Sequence, residues 1–268
     1  MNVLVSIITP MFNVQNFLSE TLESVIAQTY DNWELIAVDD CSMDNTLELA
    51  RQFESRDARI KVVKAPMNGG AAAARNIGTK IAKGNFIAFL DSDDTWEKNK
   101  LEKQIKKMQE TNAVFSFTAY SIIDESGNFI KTLKTPSHTN YKKLLRGCDI
   151  GCLTVIYNVD KLGKHYFLEP ISEDYYSGLP EAILRRWGRE DYVLWLEIAK
   201  NCEGEKSMLG IEEPLAFYRR RNGGISSDKK RAAWYQWLVY RRVERLSISA
   251  SIINFIFYTI NGFKKHYL

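Results

Sequence analysis

The sequence lacks the features that mark secreted, zinc-binding and disulfide-rich proteins. Its four cysteines, at positions 41, 148, 152 and 202, show no paired CxxC spacing for zinc and are too sparse for a disulfide framework, so we expect reduced thiols. The N-terminal segment "MNVLVSIITPMFN" has no basic region and no small-residue cleavage site, and its apolar run breaks at Pro10. We therefore expect a cytoplasmic protein.

Long apolar runs and repeats are also missing. The apolar stretch at 248–260 contains Ser and Asn and is shorter than the ~18 residues expected of a membrane-spanning helix. No repeat or low-complexity linker divides the chain, and no base-reading module accompanies its basic residues, which argues against nucleic acid as a partner. A chain of 268 residues can bury the core of one large domain, or of one domain plus an appendage.

The small net charge of +3 conceals an uneven distribution. From Leu215 to the end, eleven Lys and Arg stand against two acidic residues, whereas the rest of the chain has 25 basic and 31 acidic residues. An acidic body and a basic C-terminal segment predict two surfaces that meet two different partners.

Buried strands alternate with helical patterns through the first 120 residues. The segments "VLVSII", "WELIAVDD", "IKVVKA" and "NFIAFLD" are almost wholly apolar, and the segments between them place apolar residues at helical spacing. This alternation predicts an α/β fold with a mostly parallel central sheet flanked by helices on both faces. Beyond "AVFSFTAY" the alternation stops, and "DESGN" is typical of a hairpin turn.

Two acidic motifs end predicted strands, Asp39-Asp40 after the second and "DSDD" at 91–94 after the fourth. The carboxyl ends of parallel strands share one rim, where open α/β sheets bind ligands. Either motif alone is explained equally well as a helix cap, but two on one rim, with Arg75 in the helix between them, favour a ligand site.

A hard divalent cation fits such a rim. Mg²⁺ or Mn²⁺ takes one or two carboxylates and keeps positions for phosphate oxygens, so "DSDD" predicts a metal that holds a diphosphate. The segment "MNGGAAAAR" would bring flexible backbone and a helix N-terminus to the same anion.

Two other functions compete with this interpretation. Counting from Asp91, positions one, three, five, nine and twelve follow the ligand order of a calcium loop, but position six is Trp96 where that loop needs Gly. A nucleotide- or calcium-binding module without turnover is therefore the alternative outside enzymes. The alternative among enzymes is a sugar nucleotidyltransferase, although "TPMFNVQNF" after the first strand is not the Gly-rich phosphate loop of such enzymes.

Four segments, in this order, carry a family resemblance: "VSIITPMFN", "QTYDNWELIAVDDCSMDNT", "GGAAAARNIG" and "FLDSDDTW". The chain resembles the glycosyltransferase family 2 enzymes of GT-A fold over essentially its whole length. The resemblance implies a Rossmann-like GT-A domain over residues 1–225, with a nucleotide-binding half at 1–120 and an acceptor half at 121–225. Residues 226–268 would then be a basic, amphipathic helical tail.

The resemblance also implies roles for the rim residues. The donor would be a UDP-sugar, and the cofactor Mn²⁺ or Mg²⁺. Asp40 is expected to contact the uracil, Asp93 to ligate the metal, and Asp91 to help hold metal and ribose. Arg75 would brace the acidic cluster or the phosphates. The nucleoside pocket is expected to be lined by Thr9, Pro10, Phe12 and Asp39.

A carboxylate pair opens the later helix of "REDYVLWLEIAK". Sugar transfer with inversion needs a carboxylate that takes the proton of the acceptor hydroxyl. A carboxylate in a first turn also stabilises the helix by itself, so position alone does not decide its role. The family carries a Glu-Asp pair here, and the resemblance implies that Asp191 is the catalytic base and Glu190 an acceptor-binding neighbour.

An arginine run lies in "FYRRRNGGISS", which is similar to the family segment that closes over the nucleotide. By this similarity Arg219 and Arg221 are predicted to contact the departing diphosphate, which needs positive charge. Many relatives have His where Arg221 or Asn222 stands, so the sequence departs from the pattern here. An arginine run is otherwise often a solvated surface.

The tail places Trp234, Trp237 and Tyr240 among basic residues. This pattern predicts a segment that lies on the inner-membrane surface, with its bases attracted to anionic lipid. The alternative is a helical pair that packs back on the domain or forms a homodimer contact.

The chain also resembles small bacterial transferases that build O-antigen, capsule, exopolysaccharide or teichuronic acid on undecaprenyl diphosphate. An undecaprenyl-diphosphate-linked sugar is therefore the expected acceptor, and the protein would be peripheral on the cytoplasmic face of the membrane. No processive Gln-x-x-Arg-Trp motif is present, which favours addition of a single hexose, from UDP-glucose or UDP-galactose.

Overall fold

The computed structural model describes residues 3–169, 189–202, 207–221 and 229–267. The chain forms two units. The first, here called the sheet unit, comprises residues 1–139, 149–166 and 202–221, and the second, the helical unit, comprises residues 140–148, 167–201 and 222–268. The predicted boundary between domain and tail, at 225 and 226, lies outside the described residues.

All ten described strands belong to the sheet unit and form one sheet. They are β1 (Val5–Met11), β2 (Trp33–Asp39), β3 (Ile60–Lys64), β4 (Phe86–Phe89), β5 (Thr95–Trp96), β6 (Phe115–Ile123), β7 (Phe129–Leu133), β8 (His138–Thr139), β9 (Ile156–Asn158) and β10 (Met208–Arg219).

The sheet is parallel in its first half and mixed in its second. Its order is β3-β2-β1-β4-β9-β6-β10-β5, with β7 beside β6 and β8 beside β10. The pairings among β1 to β4 are parallel, β9 runs antiparallel to both β4 and β6, and β10 runs parallel to β6. All seven residues of β1 are buried, which requires that both faces of the sheet are covered.

Four helices connect the strands of the first half: α1 (Leu18–Ile26), α2 (Thr46–Arg56), α3 (Gly70–Ile81) and α4 (Lys100–Thr111). α1 buries Leu18, Leu22 and Val25, the spacing of one helical face. α3 approaches β1 so closely that a Cβ at Gly78 would lie 2.6 Å from a methyl carbon of Ile8. α4 ends at Asn112, whose left-handed backbone closes the last turn. The predicted alternation of strands and helices is confirmed.

The later part of the sheet differs from its sequence pattern. The predicted turn at "DESGN" is present between β6 and β7, where the Asp124 side chain accepts backbone bonds from Ser126 and Asn128. The twelve-residue strand β10 was not predicted, because Glu212, Glu213 and Pro214 interrupt its apolar pattern. Its register with β6 shifts on either side of Pro214, and such irregularities accommodate a residue without an N–H.

Two short helices complete the described elements between β8 and residue 169: α5 (Tyr141–Leu145), in the helical unit, and α6 (Val159–Leu162), in the sheet unit. The helical unit also contains α7 (Glu190–Asn201), α8 (Lys229–Leu238), a π-helical turn (Val239–Val243) and α9 (Ile248–Tyr267). The hydroxyl of Tyr192 on α7 donates to the Leu144 carbonyl on α5 and accepts from the Gln236 amide on α8. No helix among the described residues is both long and apolar enough to cross a membrane.

Candidate active site

The rim of the sheet opens where β1 separates from β4. Pairing of β1 with β2 continues to Met11, whereas its pairing with β4 ends at Ile8. β1 therefore has β2 on one side and β4 on the other, and the strand order changes direction between β1 and β4. Ligands of open α/β sheets bind in the crevice at such a switch point. Pro10 lies in the part of β1 that β4 no longer pairs, where a missing N–H disrupts least.

The first acidic motif, at the end of β2, is buried and bonded to backbone amides. Asp39 accepts from the Ser42 N–H at 3.3 Å through either oxygen. The two oxygens of Asp40 accept from the Gly69 and Gly70 N–H groups, both at 2.8 Å. Asp40 thus caps the N-terminus of α3, and its side chain is 3% exposed. Its predicted contact with uracil stays a prediction.

Residues predicted for the nucleoside pocket lie at the end of β1. Thr9 is fully buried, and its hydroxyl has no hydrogen-bond partner in the part of the chain that the structure describes. Phe12 follows the strand and is 44% exposed. A buried hydroxyl without a partner is costly, and an exposed aromatic ring beside it is available to a flat ligand group.

The second acidic motif, after β4, forms a tight turn whose carboxylates face arginines. The Asp94 N–H donates to the Asp91 carbonyl at 3.1 Å. Arg75 on α3 is buried and contacts Asp91 Oδ1 at 2.5 Å, while the Asp91 side chain is 28% exposed. α3 thus brings Arg75 to this cluster, and its predicted role, to brace the cluster or the phosphates, stays a prediction.

Asp93 and Asp94 differ in environment. Burial and the negative charge of Asp91 raise the pKa of Asp93, although the Arg221 guanidinium opposes the shift. Asp94 is fully buried, and burial, followed by the charges of Asp93 and Asp91, raises its pKa well above the usual range. Its Oδ1 accepts from the Arg219 N–H at 2.8 Å. The three carboxylates of the turn therefore repel one another, although arginines contact them.

Arg219, at the end of β10, is surrounded by protein. It is 3% exposed, and its Nε donates to the Asp93 carbonyl at 2.9 Å. Its Nη1 donates to the Glu125 carbonyl at 3.1 Å, and its Nη2 to the Glu20 carboxylate at 2.6 Å. Its guanidinium carbon also lies 5.2 Å from the centre of the Phe17 ring.

Arg221 is the more accessible of the two arginines. Its side chain is 41% exposed, and its Nη1 lies 3.4 Å from Asp93 Oδ2. Its guanidinium carbon also lies 5.2 Å from the centre of the Phe17 ring. A long, solvated contact of this kind leaves the side chain able to move to another anion. Asn222, the next residue in the predicted clamp segment, lies outside the described residues.

The predicted acceptor pair belongs to the helical unit. Glu190 and Asp191 open α7, where their negative charge stabilises the positive end of the helix dipole. Asp191 is half-buried, and its Oδ1 accepts from the Tyr192 N–H at 2.6 Å. Both of their predicted roles stay predictions.

The side chains of the β4 turn suit a divalent cation that shares its coordination with a ligand. Among the described residues no three His, Cys, Asp or Glu side chains converge into a closed metal site. Two partly exposed carboxylates, with the pKa of Asp93 raised by burial and then by the charge of Asp91, are the open donor set that Mg²⁺ or Mn²⁺ uses beside a diphosphate. Asp91 and Asp93 are the residues that would hold it.

The calcium-loop alternative does not match the local structure. Thr95 and Trp96 form strand β5, which pairs with β10, so the chain does not turn at the position where the loop needs Gly. Glu102, the twelfth residue of the pattern, accepts from the Thr29 hydroxyl at 2.7 Å.

Sequence reasoning assigned no role to Glu20, Phe17 and the Asp124–Glu125 turn, all of which contact Arg219. Glu20 lies 199 positions from Arg219, and no local pattern links such residues. The only local signal was the third carboxylate of "DSDD", Asp94, which accepts the Arg219 N–H.

Comparison with known proteins identifies relatives over nearly the whole chain. The family model described as glycosyl transferase family 2 matches residues 6–158. The chain is 39% identical over 263 residues to a putative teichuronic acid biosynthesis glycosyltransferase, TuaG, of Bacillus subtilis (strain 168), covering 98% of this chain and 97% of that protein. It is 38% identical to the UDP-Glc:alpha-D-GlcNAc-diphosphoundecaprenol beta-1,3-glucosyltransferase WfgD of Escherichia coli, covering 98% and 95%.

Crystal structures confirm the fold prediction. S. aureus TarS 1–349 in complex with UDP matches 97% of this chain and 72% of its own, with a TM-score of 0.69 at 19% identity. The mannosyltransferase PcManGT from Pyrobaculum calidifontis, in complex with GDP-Man and Mn²⁺, matches 91% and 65%, with a TM-score of 0.61 at 17% identity. The α/β GT-A architecture is thus shared with both structures. Because the family model covers more than half of the chain and the relatives cover nearly all of it, the chain belongs to glycosyl transferase family 2 and is a glycosyltransferase.

Proposed function

We propose that this glycosyltransferase is inverting and metal-dependent, and that it moves one hexose from UDP-glucose or UDP-galactose to an undecaprenyl-diphosphate-linked saccharide. The observation that carries the proposal is the β4 turn, where Asp91 and Asp93 stand at the crevice, each beside one arginine. The substrates named for the E. coli relative support the donor and the lipid-linked acceptor.

The sheet unit would bind the donor. Asp91 and Asp93 would hold Mn²⁺ or Mg²⁺, which when bound offsets the charge of the diphosphate as the sugar leaves. Arg75 would hold the Asp91 carboxylate in place, since it already contacts that carboxylate at 2.5 Å. The Thr9 hydroxyl and the Phe12 ring would contact the nucleoside, and the exposed Arg221 would move from Asp93 to the diphosphate.

The helical unit would supply the base. Attack by the acceptor hydroxyl on the anomeric carbon requires that its proton leaves, and Asp191 would take that proton. Its Oδ1 accepts from the Tyr192 N–H at 2.6 Å, and its place in the first turn of α7 gives the side chain a fixed support. Glu190, beside it, would orient the acceptor sugar.

The helical unit also leaves one face of α9 uncovered in the described structure. Large apolar side chains, each at least 39% exposed, recur along one stripe of this helix, at Ile248, Ile252, Ile253, Ile256, Phe257 and Ile260. Other side chains of the helix pack on α8, as in the Trp237–Phe255 ring contact at 5.8 Å, and the Tyr258 hydroxyl accepts from Arg189, just before α7, at 2.7 Å. An apolar face on a basic segment is suited to an anionic membrane surface, where a lipid-linked acceptor resides. This face supports the proposal that the protein is peripheral on the cytoplasmic face of the membrane.

The test of the donor site is calorimetric titration of UDP into the full chain with Mn²⁺ and then with EDTA. Metal-dependent binding is expected, followed by transfer of glucose or galactose from its UDP donor to a GlcNAc-diphosphate lipid. Asp191→Asn should leave UDP affinity unchanged and lower transfer by ~10² or more, the scale of a positioned base. Glu197→Gln, an exposed charge change on the same helix, is the matched control. Full transfer by Asp191→Asn would remove Asp191 as the base.

The membrane contact is tested by co-sedimentation with phosphatidylglycerol vesicles. The double variant Ile252→Ser, Ile256→Ser should release the protein from these vesicles, because it removes two apolar side chains from the centre of the stripe. Phe129→Ser with Ile130→Ser removes comparable exposed area from β7 and should not affect co-sedimentation. Unchanged vesicle binding, together with a dimer that the first variant dissociates, would assign the stripe to a homodimer contact instead.

A further inference from the structure

Arg219 connects three separate segments to the turn that would hold the metal. Its guanidinium donates to a carbonyl of the turn, to the carboxylate of Glu20 on α1, and to the Asp124 and Glu125 carbonyls after β6. Its own N–H donates to the Asp94 carboxylate, so the residue contacts the turn at one peptide carbonyl and at the side chain that follows it. Every nitrogen of the guanidinium thus donates to protein.

The positions of the oxygen atoms around residue 219 require an arginine side chain. A guanidinium presents its donors in a rigid planar fork, and here the fork reaches carbonyl and carboxylate oxygens in three directions. A lysine would keep the charge but has a single nitrogen, so it cannot reach the Asp93 carbonyl and Glu20 while also reaching the β6–β7 turn. The bonds are charge-assisted and the arginine itself is buried, which makes them strong enough to fix the orientation of a peptide.

The Asp93 peptide is the part of the turn that this arginine holds most directly. Its carbonyl accepts Arg219 Nε at 2.9 Å, and the next residue accepts the Arg219 N–H. The direction of a side chain follows from the orientation of its backbone, so fixing this peptide and the Asp94 side chain also restricts where the Asp93 carboxylate points. Supporting bonds of this kind set the affinity of metal ligands.

We infer that Arg219 is a positioning residue that holds the carboxylates of Asp91 and Asp93 in their metal-binding orientation and does not itself contact the diphosphate; this rests on the proposed function. Arg221 is the contrasting case, because its exposed guanidinium contacts a carboxylate oxygen of Asp93 and competes with a cation for it. The two arginines therefore act on metal affinity in opposite directions.

The test uses calorimetry to measure UDP-glucose binding at a series of Mn²⁺ concentrations. The quantity compared between variants is the Mn²⁺ concentration that gives half of the maximal binding. Arg219→Lys should raise this concentration about 10- to 100-fold, while UDP-glucose affinity at saturating Mn²⁺ returns to within about threefold of wild type. Arg221→Gln should leave the half-saturating concentration unchanged or lower it, and should weaken UDP-glucose binding at every Mn²⁺ concentration. An Arg219→Lys variant that behaves like Arg221→Gln would show that Arg219 contacts the diphosphate and would overturn the inference.

A second variant and a ligand-free measurement guard against misfolding of Arg219→Lys. Glu20→Gln changes only the exposed partner of Arg219, and should raise the half-saturating Mn²⁺ concentration by about threefold with an unchanged melting temperature. In EDTA, hydrogen exchange of the Asp94 amide should accelerate about tenfold or more in Arg219→Lys, while amides of α2 stay unchanged. Unchanged exchange of the Asp94 amide would contradict the inference.

These outcomes separate the inference from the proposed function. If the wild-type chain binds UDP-glucose without regard to Mn²⁺, the proposed metal-dependent function fails, and the exchange measurement still decides whether Arg219 holds the turn. If the wild-type chain needs Mn²⁺ and both Arg219→Lys and Glu20→Gln keep the wild-type half-saturating concentration, the inference fails alone.

Discussion

Two acidic motifs end β2 and β4, the parallel strands on either side of β1, and the structure uses them differently. At the end of β2, Asp39 and Asp40 are almost wholly buried and accept bonds from backbone N–H groups. At the end of β4, Asp91 and Asp93 stay partly exposed and face the side chains of Arg75 and Arg221.

The type of donor makes this difference. Backbone amides at a helix N-terminus are fixed in place, so a carboxylate that they satisfy becomes part of the fold. An exposed arginine side chain such as Arg221 can leave, so its carboxylate partner remains available to a cation. The exposed motif is also the one with unrelieved repulsion, since burial and the charge of Asp91 raise the pKa of Asp93. Similar sequence patterns on one rim thus make backbone bonds in one case and, in the proposed function, hold a metal in the other.

The strongest test of this contrast exchanges one oxygen for an amide in each motif. Asp93→Asn should weaken Mn²⁺-dependent UDP binding by roughly 100-fold or more. Loss of a residue that only supports a metal ligand lowers metal affinity by about 10- to 100-fold, and this variant changes a ligand itself. Asp40→Asn should change the Mn²⁺ dependence by less than about threefold, since its carboxylate supports α3 and not the metal. Calorimetry of UDP against a series of Mn²⁺ concentrations measures both.

Equal losses in the two variants would break the contrast, because they would mean that both motifs hold the ligand. An unaltered Mn²⁺ dependence in Asp93→Asn would remove that residue from the metal site altogether.

The next effect is a pH dependence that only the β4 motif should show. Metal binding needs ionised Asp93, so protons compete with Mn²⁺ as the pH falls through its raised pKa. Below that pKa, the half-saturating Mn²⁺ concentration for UDP-glucose should rise about tenfold per pH unit, starting at a higher pH than for an ordinary carboxylate. Without metal, in EDTA, the stability of the protein should change in the opposite direction to metal binding. The free energy of unfolding should fall as the pH rises through the pKa of Asp93, because the fold disfavours the ionised form.

Two measurements check this expectation. The Mn²⁺ series is repeated at decreasing pH with UDP-glucose, whose diphosphate is esterified at both ends and stays charged. Uridine binding in EDTA is the control and should be flat, since it involves neither the metal nor the phosphates. A flat Mn²⁺ profile would place the metal on groups other than Asp93.

The contrast between the two motifs also shows what the sequence alone can predict. The apolar strands β1 to β4 and their shared rim follow directly from burial on both faces, as does the proximity of Arg75 to the acidic cluster. Helix capping was an open alternative for either motif. To predict which of the two motifs caps a helix, one must know where the Gly69 and Gly70 amides lie. These residues are some 30 positions away from Asp40 in the sequence.

Other features depend on contacts that no local pattern records. Strand β10 is interrupted by two glutamates and a proline, so its apolar pattern is weak, yet it supplies Arg219. The partners of that arginine are spread over α1 and the β6–β7 turn, and only the folded sheet brings them together. The amphipathic character of the tail, by contrast, is local and was predicted.

The role of the β2 motif in the fold has a measurable consequence for stability. In Asp40→Asn, the side-chain amide of the new residue would face the N–H of either Gly69 or Gly70, so one backbone donor loses its acceptor. The variant should lose about 1–2 kcal/mol in the free energy of unfolding, measured by urea denaturation in EDTA. Glu23→Gln, an exposed change of the same type on α1, should change stability little. No loss in Asp40→Asn would show that its carboxylate does not support α3.

The smallest effect concerns a neutral group between the two motifs. Thr9 and Thr79 are both fully buried, and neither hydroxyl has a partner in the described structure. If the Thr9 hydroxyl bonds only to a bound nucleoside, its removal should not destabilise the free protein. Thr9→Val should therefore keep or slightly raise the melting temperature. Its UDP affinity should fall about fivefold, the value of one hydrogen bond. Thr79→Val, on α3, should leave UDP affinity unchanged. Equal affinities in the two variants would exclude the Thr9 hydroxyl from the nucleoside pocket and leave both buried hydroxyls as features of the fold.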